Sequence, residues 1–149
     1  MLRGFWNKAR TSHALTLLTI DEEEGVETEA VGESFYAESI TLIVSAMTLR
    51  GERIEDQQLI VDLQTDDDNP HDPMAVSLHI VGRKVGHLAR DDAREMRANL
   101  AKHGIHRWKA EACGHIGGRG LKEDGTLNGP HGVILHFGLP LEMDLVHKI

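Results

Sequence analysis

Ten histidines in a chain of 149 residues raise the question of metal first. Neither His-Glu-x-x-His nor Cys-x-x-Cys occurs. His103 and His106 are three apart, but Gly104 between them ends a helix. Cys113 and His115 alternate on one face of an expected strand and make half of a zinc site, with no second half in the sequence. The run Asp66-Asp67-Asp68 lacks the glycine and the distant glutamate of a calcium loop. Cys113, the single cysteine, reads as a core thiol rather than a nucleophile. The stretch GHIGGRG (114–120) has the glycines of a phosphate loop but not the Gly-Lys-Ser/Thr ending or the following helix. No pair of carboxylates stands out from the acidic background. The residues therefore predict no catalytic group, no metal and no cofactor.

More chemistry lies between residues 66 and 97. Asn69 and Asp72 flank Pro70 and His71, and short polar side chains of this kind hold turns through their own backbone. Downstream, Arg83, Lys84, His87, Arg90, Arg94 and Arg97 gather on an expected strand and on the helix after it. Arg94 and Arg97 are spaced to share a helix face. Arg90 stands at the helix start, where free backbone N–H groups and adjacent cations suit one phosphate. Phe35 and Tyr36 are two of six aromatic residues. An aromatic ring beside such a cluster suits base stacking, while Phe35 by residue type alone suits the core.

The elements that position these groups follow from periodicity. Residues 28–34 read as a short strand ending near Gly32. Ile40, Ile43, Val44 and Met47 have the spacing of one helix face and predict a helix over 37–48. Leu59, Val61 and Leu63 alternate with polar residues in a strand over 57–65. Two prolines and a run of Asp and Asn make 66–73 a structured turn. A strand over 74–81, a turn at Gly82-Arg83 and a return strand over 84–88 follow. Residues 91–103 predict a helix whose inner face is Ala93, Met96 and Leu100, with Asp92 and Glu95 as a capping box and Gly104 as its stop. Two further strands, 108–117 and 131–138, flank a glycine-rich loop. The expected fold is mainly β, of the α+β kind: a small six-stranded barrel with two helices. Residues 1–27 read as a lead-in whose Phe5 and Trp6 dock on the body, 28–140 as the barrel, and 141–149 as a tail.

The chain carries 16 Lys and Arg against 24 Asp and Glu, a net charge of −8 with neutral His. That sign argues against a general nucleic-acid coat. The average hides an asymmetry. Residues 1–82 hold five basic and sixteen acidic side chains, net −11; residues 83–122 hold ten and four, net +6; residues 123–149 hold one and four, net −3. A basic segment inside an acidic chain fits a local anion site. The single cysteine excludes an internal disulfide, and no apolar stretch approaches the roughly 18 residues of a membrane span. Basic residues precede 14–20 as in a signal peptide, but the apolar run is short and has no small-residue cleavage site, so a cytoplasmic protein is expected.

In order, VGESFY (31–36), DDDNPHDPMAVSLHI (66–80) and GRKVGHLARDDAREMRANL (82–100) resemble the HIRAN domain. That domain stands at the N-terminus of helicase-like fork-remodelling proteins and alone in small bacterial proteins. The resemblance runs from about residue 29 to 138. It implies a barrel like an OB-fold or SH3 barrel, and capture of the free 3′ end of single-stranded DNA. It implies that Asp72 contacts the 3′-hydroxyl, that His87 and Arg90 hold phosphate, and that Phe35 stacks on a base; the neighbouring Lys84 is expected to join the phosphate contacts. Tyr36 and Asn69 belong to the same motifs. Ser34 departs from the pattern, standing where the fork-remodelling members carry an arginine. His71 departs too, standing where they carry a second tyrosine. A carboxylate beside a phosphate site is a penalty unless it accepts a hydrogen bond from a terminal hydroxyl, and it then repels an internal phosphate. The expected function is a non-catalytic module for single-stranded DNA 3′ ends in repair or fork processing, with any helicase or nuclease supplied by another chain. The alternative is a protein-interaction barrel without DNA affinity.

Overall fold

The structure, a computed structural model, describes residues 13–118, 120–129 and 131–149. Phe5 and Trp6 lie outside them, so their expected docking does too. Eight strands form: β1 (Leu15–Ile20), β2 (Thr28–Val31), β3 (Leu59–Thr65), β4 (Val76–Ile80), β5 (Arg83–Leu88), β6 (Arg107–Gly117), β7 (Gly132–Leu135) and β8 (Val146–Lys148). Two α-helices join them, α1 (Ala37–Leu49) and α2 (Arg90–Ala101).

Six strands close on themselves. The order β3-β4-β5-β2-β7-β6 returns to β3, and every pairing in that ring is antiparallel. The expected six-stranded barrel with two helices is therefore present. Closure rests on β6, the longest strand. One edge runs against β3 from Lys109 to Gly114. Its other edge pairs with β1 over Arg107–Ala112 and with β7 over Gly114–Gly117. Gly114 stands at the handover. A Cβ there would lie 2.6 Å from the Ile134 carbonyl oxygen and 2.9 Å from Val61 Cγ2, so only glycine lets the three strands meet.

Alternation sets the core. Val61 and Leu63 of β3, Val76, Leu78 and Ile80 of β4, and Trp108, Ala110 and Ile116 of β6 point inward and are buried. Ile40, Ile43, Val44 and Met47 of α1 and Ala93, Met96 and Leu100 of α2 join them, the two faces that helical spacing marks in the sequence. Cys113 does not. It lies half-exposed on the outer face of β6, because it falls on the odd positions whose even neighbours fill the barrel. The same strand absorbs 114–117, so the glycines of GHIGGRG begin in a ladder rather than in a loop.

Two strands were not read from the sequence. Leu15–Ile20, left in the lead-in, pairs in parallel with β6, burying Leu18 and Ile20. Val146–Lys148, left in the tail, pairs with β1. The capping box is absent as well. Helix α2 begins at Arg90 with Ala89 as its N-cap and no side-chain cap bond, which leaves Asp91 and Asp92 in the first turn.

Candidate nucleic-acid interface

Three connections converge on one side of the barrel. The first follows β2. Gly32, at φ 83°, turns the chain in the left-handed region that favours glycine and starts a 3₁₀ turn over Glu33–Tyr36. The second is the turn between β3 and β4, where the Asp66 N–H donates to the Ala75 carbonyl at 2.9 Å. The third is the junction of β5 and α2. The register Val31↔His87 holds the first and third together.

Between them lies a groove of about 660 Å³. Its lining includes Phe35, Tyr36, Asn69, His71, Asp72, His87 and Arg90. Seven of the nine residues singled out in the sequence thus share one cavity. Its apolar floor (Val31, Ala75, Leu88 and Ala93) carried no such signal. Ser34 falls in the 3₁₀ turn, and its side chain is not among those described. Lys84 lies just outside the lining. Its Nζ is 5.8 Å from the centre of the Tyr36 ring and 3.3 Å from Asp66 Oδ2.

Phe35 is 87% exposed. The sequence left core and stacking open for this residue, and the structure excludes the core. Tyr36 is half-buried, its ring tilted 51° to that of His87 with centroids 5.8 Å apart. His71 is exposed at the tip of the turn.

The turn is held by its own side chains. Asn69 Oδ1 accepts from the N–H groups of His71 at 2.9 Å and Asp72 at 3.1 Å. Asn69 Nδ2 donates to Asp66 Oδ2 at 3.1 Å. Arg97, from α2, reaches back to the carbonyls of Pro73 at 3.1 Å and Ala75 at 3.3 Å and pairs with Asp67. Arg97 is therefore a brace for the turn, although helical spacing alone groups it with the phosphate cations.

Asp72 faces the arginines. Its Oδ2 lies 3.4 Å from Arg90 Nε and 3.3 Å from Arg94 Nη1, and its Oδ1 accepts from the Met74 N–H at 3.0 Å. The Met74 hydrogen bond, with Arg94 and Arg90 beside it, holds the Asp72 carboxyl below the ordinary carboxylate value against the opposing effect of burial. Arg90 is 67% exposed and Arg94 44% exposed, so both pairs are screened and exchangeable.

His87 differs. Burial, then the charge of Lys84, push its imidazole below the ordinary value, while Asp66 acts the other way. Its Nε2 is buried with no hydrogen-bond partner among the described residues, 3.9 Å from Asp66 Oδ2. Burial by itself would raise the Asp66 carboxyl, but hydrogen bonds from Asn69 and Lys84 outweigh it and bring it down. Asp66 thus anchors Asn69, Lys84 and the surroundings of His87 at once. Its position in a row of three aspartates hid that role.

Elsewhere, His115 Nδ1 on β6 and His136 Nε2, just past the end of β7, approach to 2.7 Å. Among the described residues no group of three or more His, Cys, Asp or Glu is arranged to hold a metal ion. No described helix is long and apolar enough to cross a membrane. Comparison with protein-family models, with curated proteins and with solved structures finds no match for the chain.

Proposed function

We propose that this chain is a cytoplasmic, non-catalytic HIRAN-type module that binds single-stranded DNA at a free 3′-hydroxyl end, in repair or replication-fork processing. The observation that carries the reading is one groove in which an exposed Phe35, the turn carboxylate of Asp72 and the Arg90 guanidinium stand together. In this reading Asp72 accepts the terminal hydroxyl, Phe35 and His71 offer flat faces to the last bases, and His87, Arg90 and Lys84 meet phosphate. Tyr36 buttresses His87, and Asn69 fixes the turn that presents Asp72. Stacking is worth roughly 1–3 kcal/mol per base and needs only a π-face. A helicase or nuclease on another chain would do the work on the end.

The net charge of −8, and the pairing of Arg90 with Asp72, favour the other reading, a protein-interaction barrel without DNA affinity. One measurement separates them. A short 5′-labelled oligothymidylate ending in a 3′-hydroxyl is titrated against the same strand ending in a 3′-phosphate. The DNA reading expects the hydroxyl strand to bind more tightly, and Asp72→Ala to abolish the difference. Arg90→Ala should weaken both strands about equally. Binding that is absent, or blind to the end, favours the interaction barrel.

A further inference from the structure

Both oxygens of Asp72 are engaged. A carboxylate offers about four lone-pair positions. On Oδ1 they meet the Met74 N–H at 3.0 Å and Arg94 Nη2 at 3.4 Å. Oδ2 accepts from Arg94 Nη1 at 3.3 Å and forms an ion pair with Arg90, whose Nε lies 3.4 Å away. Arg94 alone spans both oxygens, in the fork geometry that a guanidinium presents to a carboxylate. It reaches the turn from α2, one helical turn beyond Arg90.

These donors are not equal. The Met74 N–H is backbone and fixed by the turn. Arg90 belongs to the groove lining, whereas Arg94 does not. Arg94 is the arginine that holds both oxygens, so a hydroxyl arriving at either one competes with it, whereas Arg90 touches Oδ2 alone. It also carries the charge that offsets Asp72 most directly. Both effects bear on which strand end is accepted.

Building on the DNA-end reading above, we propose that Arg94 sets how selective the pocket is for a terminal hydroxyl over a terminal phosphate. With Arg94 seated, a hydroxyl reaches Asp72 only in competition with a guanidinium that holds both oxygens. A phosphate end meanwhile meets an aspartate whose charge is largely offset. With Arg94 removed, the acceptor positions open to the hydroxyl, and the uncovered carboxylate repels the phosphate more strongly. The ratio of the two affinities rises. Arg94 is thus a moderator of discrimination, and Asp72 is its source.

The test uses the full chain and the same two labelled oligothymidylates. The hydroxyl-to-phosphate affinity ratio should increase roughly threefold or more in Arg94→Ala, the scale of a half-exposed ion pair. Arg94→Lys keeps the charge and loses the fork, so its ratio should fall between those of the parent and the alanine variant. In an Asp72→Asn background, Arg94→Ala should leave the ratio unchanged, because the residue it moderates is gone. A parent preference for the hydroxyl that Arg94→Ala leaves unchanged or lowers overturns this proposal alone and makes Arg94 an ordinary phosphate contact. A parent chain with no preference between the ends overturns the end-capture reading and this inference with it.

Discussion

His87 sits where its protonation state decides what it can hold. Half-buried beside Tyr36 and next to Lys84, it favours the neutral imidazole, with Asp66 the facing group that opposes the shift. An arriving phosphate brings negative charge and favours the imidazolium. Binding and proton uptake are therefore linked. Affinity for the hydroxyl-ended strand should rise as the pH is lowered from about 8 to about 6, the range in which histidine changes charge. Fluorescence titrations across that range check this, and His87→Gln should flatten the profile. A slope unchanged by that substitution would remove His87 from the phosphate contacts. The fold carries its own sign. His87 and His79 are both lowered, chiefly by burial, so below the ordinary imidazole value of about 6.5 the unfolded chain takes up protons that the folded chain refuses. Thermal stability should hold above that pH and decline below it. Asp66 and Asp72, both lowered, add a second loss as the pH falls below about 4.

At the level of elements, the turn after β3 is a built object and its brace is testable. Arg97 is only 10% exposed and donates to two carbonyls of the segment that carries Asp72. Arg97→Ala should lower stability by about 1–2 kcal/mol, read as a fall in Tm, and weaken hydroxyl-strand binding through a loosened turn. Asp67→Ala removes only the exposed partner and should change Tm little. Equal effects of the two would locate the brace in the ion pair rather than in the carbonyls. Much at this level was legible in sequence. The apolar faces of α1 and α2 carry the helical period, and the Asn69–Pro70–His71–Asp72 signature marks a turn wherever it stands. What was not legible has physical causes. In β1, Leu15 and Leu17 point outward while Leu18 and Ile20 are buried, so apolar residues fall on both faces and the period-two signal is lost. β8 is three residues long and carries no period at all. The exposure of Phe35 comes from the left-handed turn at Gly32, a backbone event that residue type does not report.

Across the whole molecule, the decisive pairing joins residues 59–64 to 109–114, too far apart in sequence for local pattern to reveal. The groove itself rests on the pairings β3–β4, β4–β5 and β5–β2, which bring the segments after β2, β3 and β5 together. It also bounds the electrostatics. In the proposed reading Lys84, beside the groove, and His87 and Arg90, in its lining, meet phosphate, while the chain as a whole carries a net charge of −8. A coat protein would neutralise many phosphates; this surface has two standing cations, Lys84 and Arg90, and a third in His87 once a phosphate has drawn a proton onto it, and a single strand loses affinity with a log–log salt slope of about −0.7 per phosphate. Binding of the hydroxyl-ended strand should therefore follow a slope near −2, measured by anisotropy over a salt series. Arg90→Ala should reduce its magnitude by about 0.7. Lengthening the strand beyond the few nucleotides near its end should leave the slope unchanged. A slope that steepens with length would mean that the strand is held along its middle, and the groove would then be a side feature rather than the place where the end is read.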